Sequence, residues 1–177
     1  MSTEKGVSEL QTIIDNLSYW CTRWAMRFNV EKCNILHYGL KNPNNKYKMN
    51  GVPLSAVEQE KDIGVIFDRN LNFDVHIDNI INKANRLLGI IFRSFTYMNA
   101  RIFVTLYKAM VRSILEYANC IWSPLLKRQS VILENVQRRA TRMLPELHSM
   151  SYDERLRYLK LPSLKYRRLR RGSNTTI

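Results

Sequence analysis

An α+β amino-terminal part followed by an all-α, basic remainder is the fold class that three features of this 177-residue sequence predict. Short β-rich apolar runs occur only between about residues 33 and 67, whereas apolar residues elsewhere recur at helical spacing. The stretch "KYKMNGVPL" places Asn50-Gly51 between two short runs, and both central positions of a type I′ turn need φ > 0, so it reads as a tight hairpin. Charge is partitioned as well. Residues 1–82 carry 9 Lys/Arg and 10 Asp/Glu, whereas residues 83–177 carry 19 and 5, so the net +13 sits in the second half.

Val7, Leu10, Ile14, Leu17, Cys21 and Trp24 recur in steps of three and four, predicting an amphipathic helix over about residues 7–27 with that stripe buried. "CNILHYG" has strand character and precedes the polar loop "LKNPNN". The hairpin follows, then "DIGVIF", a single short apolar strand bounded by charges. The first part is thus one helix on a small antiparallel sheet. From Asp74, placed to cap, Ile77, Ile80, Ile81, Ala84, Leu87, Leu88, Ile91 and Phe95 mark a helix of about 24 residues. Asn99 caps the next, with Phe103, Leu106, Tyr107, Met110, Ile114, Tyr117, Ala118 and Ile121 facing the core until Ser123-Pro124. A third helix is expected from Lys127 to Leu144. Ser151 and Glu154 form a capping box for a short fourth, Pro162-Ser163 opens a last one reaching Arg171, and the tail 172–177 is expected to be disordered.

The 45% apolar share excludes a disordered chain. No run approaches the roughly 18–20 apolar residues of a membrane span, and "MSTEKGVSEL" lacks the apolar centre of a signal peptide, so no membrane partner and a nuclear or cytoplasmic location are expected. Cys21, Cys33 and Cys120 are odd in number and widely spaced, which fits reduced thiols. Cys33 and His37 have half the spacing of a zinc site, but no second pair follows, so a structural strand cysteine is the simpler reading. Asp62, Asp68, Asp74 and Asp78 stand at element boundaries, where Asp serves turns and caps. His76 and His148 have no Ser or Cys partner in a nucleophile motif, and no glycine-rich phosphate loop occurs. These residues define no self-sufficient active site, no metal ligands and no cofactor.

The cations are better candidates. Arg138, Arg139 and Arg142 fall on one arc of a helix, because i, i+1 and i+4 cluster, and Lys127 and Arg128 lie near its start. "RLRYLKLPSLKYRRLRR" is dense in Lys and Arg, among them Lys165, Arg167 and Arg168, interleaved with Tyr158 and Tyr166. Guanidinium groups hold phosphates bidentately and tyrosines stack on bases, which points to nucleic acid; a solvated helix face or a nuclear-import signal in "RRLRR" is the plainer alternative.

In this order, the elements resemble the reverse transcriptases (RNA-directed DNA polymerases) of non-LTR, LINE-type, jockey-like retrotransposons. "LQTIIDNLSYWCTRWAMRFNVEKCNIL" is similar to the segment after the family's catalytic strand, in Leu10-Gln11, Leu17, Trp20, Trp24, Met26, Phe28-Asn29 and Lys32-Cys33. "YKMNGVPLSAVEQEKDIGVIFDRNLNFDVHI", "KANRLLGIIFRSF", "LYKAMVRSILEYANCIWSP" and "ENVQRRATRML" continue the likeness in register, to about Arg171. The resemblance implies a partial palm over residues 1–72, thumb-like helices over 73–122 and a basic extension over 123–171. The hairpin would be the primer grip, with Lys48, Asn50 and Gly51 near the primer, and Lys32 would lie near the incoming nucleotide's phosphates. Lys83, Arg86, Arg93 and Arg101 would be the thumb's cations on an RNA/DNA primer-template.

The departures bear on activity. Two-metal phosphoryl transfer needs carboxylates, and the family's Asp-Asp pair lies upstream of everything here; this sequence contains no Asp-Asp. The expectation is a fragment that binds RNA or primer-template without polymerising alone, since the Mg2+ of the full-length enzyme would have no ligands. A complementary polymerase fragment is a further expected partner. The alternatives are a standalone helical protein-interaction module and a non-functional retroelement relic.

Overall fold

The computed structural model describes residues 4–95, 97–124 and 126–172 and is mixed α+β. The chain forms two compact units, residues 1–71 and 72–177. The expected disorder of the tail concerns residues of which 173–177 lie outside those described.

In the first unit, α1 (Glu4–Arg23) is followed by β1 (Asn34–Leu36), β2 (Lys48–Met49), β3 (Val52–Pro53), β4 (Ser55–Val57), β5 (Gln59–Asp62) and β6 (Val65–Asp68). The hairpin forms as predicted. β2 and β3 pair antiparallel, Met49 opposite Val52, with Asn50 at φ 53° and Gly51 at φ 78°. It is fastened to α1 by one side chain: Gln11 Nε2 donates to the Lys48 carbonyl at 2.8 Å, and the Lys48 N–H donates to Gln11 Oε1 at 3.0 Å. Both main-chain groups of Lys48 are thereby satisfied at a strand edge without a further strand.

Three expectations for this unit are corrected. "DIGVIF" is not one strand: Ile63 (φ 43°) and Gly64 (φ 84°) turn the chain, and β5 pairs antiparallel with β6 across them. The strands do not form one antiparallel sheet but three two-stranded ones, β1 with β4, β2 with β3 and β5 with β6, and the first is parallel, residues 37–54 supplying the crossover that parallel pairing requires. The helix ends four residues early. Ala25 takes φ 53° after it, and of the predicted stripe only Val7, Ile14 and Cys21 face inward, joined by Gln11 and Ser18. Leu10, Leu17 and Trp24 are exposed.

The second unit consists of α2 (Asp74–Ser94), α3 (Ala100–Leu106), a π-helical turn (Tyr107–Val111), α4 (Arg112–Glu116), α5 (Asn119–Trp122), α6 (Lys127–Arg142), α7 (Tyr152–Tyr158) and α8 (Leu164–Gly172). α2 presents His76, Ile77, Ile80, Ala84, Leu88 and Ile91 to the core and packs on α4 and α6. Asp74 is its first residue and not its cap, a position taken by Phe73 at φ 57°. The Asp74 carboxylate instead accepts from Gln129 Nε2 at 2.8 Å, tying the start of α6 to the start of α2. Asn99 does cap α3, accepting from the Ile102 N–H at 2.9 Å.

The face of α3 and α4 departs most from prediction. Phe103 and Tyr107 are buried as expected, but Val111 and Leu115 follow them in place of Met110 and Ile114. A π turn holds an extra residue relative to the α-helix, so every later position rotates by one. Ala118, at φ 49°, then breaks the helix, leaving Tyr117 and Ile121 exposed and Trp122 buried. The capping box of α7 is present: Ser151 N–H and Oγ both lie 2.7 Å from Glu154 Oε2.

Candidate nucleic-acid interface

The core of the second unit holds a polar chain. Tyr107 donates to Gln137 Oε1 at 2.8 Å, while Gln137 Nε2 donates to Tyr152 Oη and to the Pro162 carbonyl, each at 3.1 Å. Gln137 is fully buried, and its three hydrogen bonds join the π turn, α6, α7 and the turn before α8. Tyr152 donates to Glu134, whose oxygens also accept the N–H groups of Leu164 and Lys165 at the start of α8. Burial and then the Glu134 carboxylate hold the Tyr152 phenol well above its ordinary pKa, fixing it as a donor.

Arg138, Arg139 and Arg142 are exposed on α6, whereas Arg155 is buried on α7. Arg138 lies over the Tyr152 ring at 4.8 Å and Arg155 lies 5.8 Å from the same ring. Arg138 also donates to Asn135 Oδ1 at 2.9 Å. Arg138, Arg139 and Arg142 line a depression of about 550 Å³ with Asn135, Met143 and His148. Arg155, 5% exposed, has a buried Nε without a partner. Burial, then Arg142, depresses its pKa, so the site already repels added positive charge. Among the described residues none of these four arginines forms an ion pair. Three exposed guanidinium groups close together concentrate positive charge on this face of α6.

The other predicted residues are distributed. Lys83, Arg86 and Arg93 are exposed on α2 and Arg101 on α3. Lys165 is exposed at the start of α8. Arg167 is bound by both oxygens of buried Glu116, with Nη2 at 2.9 Å from Oε2, and this bond raises its pKa. Its guanidinium is committed within the fold. Arg168 is 9% exposed and donates to Ser130 Oγ at 2.9 Å. In the first unit Lys48, Asn50 and Gly51 are exposed on the hairpin, and Lys32 is exposed in the short turn before β1. No group of three or more His, Cys, Asp or Glu residues among the described ones could hold a metal, and Cys33 Sγ donates to the Asn29 carbonyl at 3.3 Å.

Arg155 and Tyr152 are the members of the arginine site that sequence reasoning missed. Tyr152, Arg155, Leu156 and Leu159 occupy the inward face of α7 at helical spacing, and an arginine inside such a stripe is the available signal.

Comparison with known proteins is consistent with a link to mobile elements. The chain is 32% identical over 76 residues to the RNA-directed DNA polymerase from the mobile element jockey of Drosophila melanogaster, a match covering 42% of this chain and 8% of that protein. It is also 27% identical over 111 residues to an uncharacterized protein of Caenorhabditis elegans, covering 61% of this chain and 56% of the other. The chain thus spans about half the length of one relative and a small part of the other. No family model matches the sequence, and no solved structure matches it. No described helix is long and apolar enough to cross a membrane.

Proposed function

We propose that this chain is a nucleic-acid-binding piece derived from a non-LTR retrotransposon reverse transcriptase, with α6 and α7 supplying the contact surface. The observation that carries the reading is the set of three exposed arginines, Arg138, Arg139 and Arg142, lining one depression, with none of them in an ion pair among the described residues. The partial similarity to the jockey polymerase supports the choice of RNA or RNA/DNA primer-template as ligand. In this reading the hairpin bearing Lys48, Asn50 and Gly51 acts as a primer grip, Lys32 neighbours nucleotide phosphate, and Lys83, Arg86, Arg93 and Arg101 follow the duplex backbone. Polymerisation is not expected of the chain alone, because no Asp-Asp pair is present to hold Mg2+. Activity would require an Asp-Asp-bearing fragment in trans.

The test is binding of the purified chain to a labelled RNA/DNA primer-template across salt concentrations. Each neutralised phosphate contributes a slope of roughly −0.7 to −0.9 in log K against log[salt]. The variant Arg138→Glu/Arg139→Glu/Arg142→Glu is expected to lose binding and flatten the slope by about two to three such increments. Salt-independent binding, or an unaltered variant, would sink the reading. A second reading, a helical protein-interaction module, is favoured by one observation: Leu10, Ile13, Leu17, Trp20 and Trp24 form an exposed apolar stripe along one side of α1 and just beyond it. Association through that stripe would strengthen with salt.

A further inference from the structure

Helix α1 buries the less apolar of its two stripes. The stripe packed inward contains Gln11 and Ser18 beside Val7, Ile14 and Cys21. Leu10, Ile13, Leu17, Trp20 and Trp24, roughly a quarter-turn round the helix, are each 43% exposed or more. Trp24 belongs with them although α1 ends at Arg23, because its N–H still donates to the Trp20 carbonyl at 3.2 Å and its ring centroid lies 6.3 Å from that of Trp20. The spacing is three, four, three, four, and Gly6, exposed, continues it backwards by four. That alternation is the a/d repeat of a coiled coil, a narrow seam with a mean period of 3.5 residues that another helix of the same period matches along its length. The sequence of α1 carries Lys5 and Arg23 against Glu4, Glu9 and Asp15, a net of −1, so it attracts neither phosphates nor acidic lipid headgroups.

We propose that the seam is covered by the α1 of a second copy of this chain, running antiparallel in a two-fold dimer. The flanks of the seam select this occupant and this direction. One flank, Val7, Ile14 and Cys21, is turned into the chain's own fold. The other carries Glu9, Asn16 and Arg23, all exposed, and among the described residues neither charge is in an ion pair. These three are seven residues apart and read negative, neutral, positive. In an antiparallel pair this flank meets itself in reverse order, so Glu9 of each copy faces Arg23 of the other. Asn16 meets Asn16 at the two-fold axis, where an amide both donates and accepts. The same register sets Leu10 against Trp20 and Ile13 against Leu17, and places Trp24 over Gly6, a large side chain opposite a residue with none. A parallel pair would instead set Glu9 against Ile14 and Asn16 against Cys21, leaving the flank charges without opposite charges across the seam. The dimer uses the first unit alone and stands independently of the nucleic-acid reading.

The test is sedimentation equilibrium of the full chain at low salt, without nucleic acid, from about 1 to about 200 μM. The mass is expected to rise from 21.0 kDa toward twice that value and to stop there. Leu17→Glu, in the middle of the seam, should abolish the rise while leaving the far-UV circular dichroism unchanged, because the side chain is on the surface. Glu9→Arg and Arg23→Glu each turn two attractions into two repulsions and should weaken the dimer about five- to twenty-fold. An equimolar mixture of those two variants should regain the wild-type affinity, since every charge again faces its opposite. A chain that stays monomeric over the whole range overturns the proposal, as does association that survives Leu17→Glu or grows beyond a dimer. Loss in Leu17→Glu without rescue in the mixture overturns the antiparallel register and with it the proposed dimer. A monomer that binds vesicles of neutral phosphatidylcholine through the same stripe overturns it in favour of a lipid surface. A monomer that pairs with an added Asp-Asp-bearing polymerase fragment, and loses that pairing in Leu17→Glu, overturns it in favour of a polymerase partner.

Discussion

At the scale of single residues, the second unit is organised by polar groups placed where apolar ones would be simpler. Gln137 shows the consequence. Gln137→Leu keeps the volume but abandons the Tyr107 hydroxyl and the Pro162 carbonyl in a dry core, so unfolding free energy is expected to fall by about 2–4 kcal/mol in denaturant titrations. His76 carries a pH signature. It is 2% exposed, edge-on to Trp122 with ring centroids 5.2 Å apart, and burial holds its pKa below 6.5. The folded state therefore binds fewer protons than the unfolded state near this pH. The contribution is complete above pH 6.5 and is lost as pH falls through that value toward the folded pKa. Melting temperature should decline over that interval in the wild type and decline less in His76→Leu. Neither role was legible in the sequence: glutamine at 137 and histidine at 76 fall on helical faces whose inward side only packing identifies.

At the scale of elements, local chemistry was readable wherever the signal was local. Asn50-Gly51 dictates its turn, Asn99 and Ser151 cap their helices, and Ser163 Oγ accepts the Tyr166 N–H at 3.1 Å. Apolar spacing misled where the backbone departed from 3.6 residues per turn. The π turn at Tyr107–Val111 moved the buried face from Met110 and Ile114 to Val111 and Leu115, and no residue in "YKAMV" announces it. The break at Ala118 yields a prediction. An L-residue in the left-handed region costs roughly 1–2 kcal/mol, and glycine avoids that cost while losing about 0.5–1 kcal/mol through unfolded-state entropy. Ala118→Gly should stabilise the protein by about 0.5–1 kcal/mol, seen as a higher melting temperature; a destabilised variant would mean that the Ala118 methyl group packs usefully.

At the scale of the whole molecule, the two units differ in how much core they own. Among the described residues, the buried apolar ones of the first are Cys21, Tyr47, Met49 and Val65, against some twenty in the second. Residues 72–177 expressed alone are therefore expected to melt cooperatively and keep the salt-sensitive binding, whereas residues 1–71 alone should bind a hydrophobic dye and lack a sharp transition, as near-UV circular dichroism and calorimetry would report. Sequence alone determined the α+β beginning, the helical basic remainder, the type I′ hairpin and the arginine arc on α6, because each depends on residues within a few positions of one another. Tertiary structure alone decided that Arg155 packs on Tyr152 behind that arc, that Arg167 is held by Glu116, and that Arg168 is buried against Ser130. Those outcomes depend on which helices pack together, and equal charge in the sequence carries no mark of whether packing leaves a side chain exposed, paired or buried with a donor to spare.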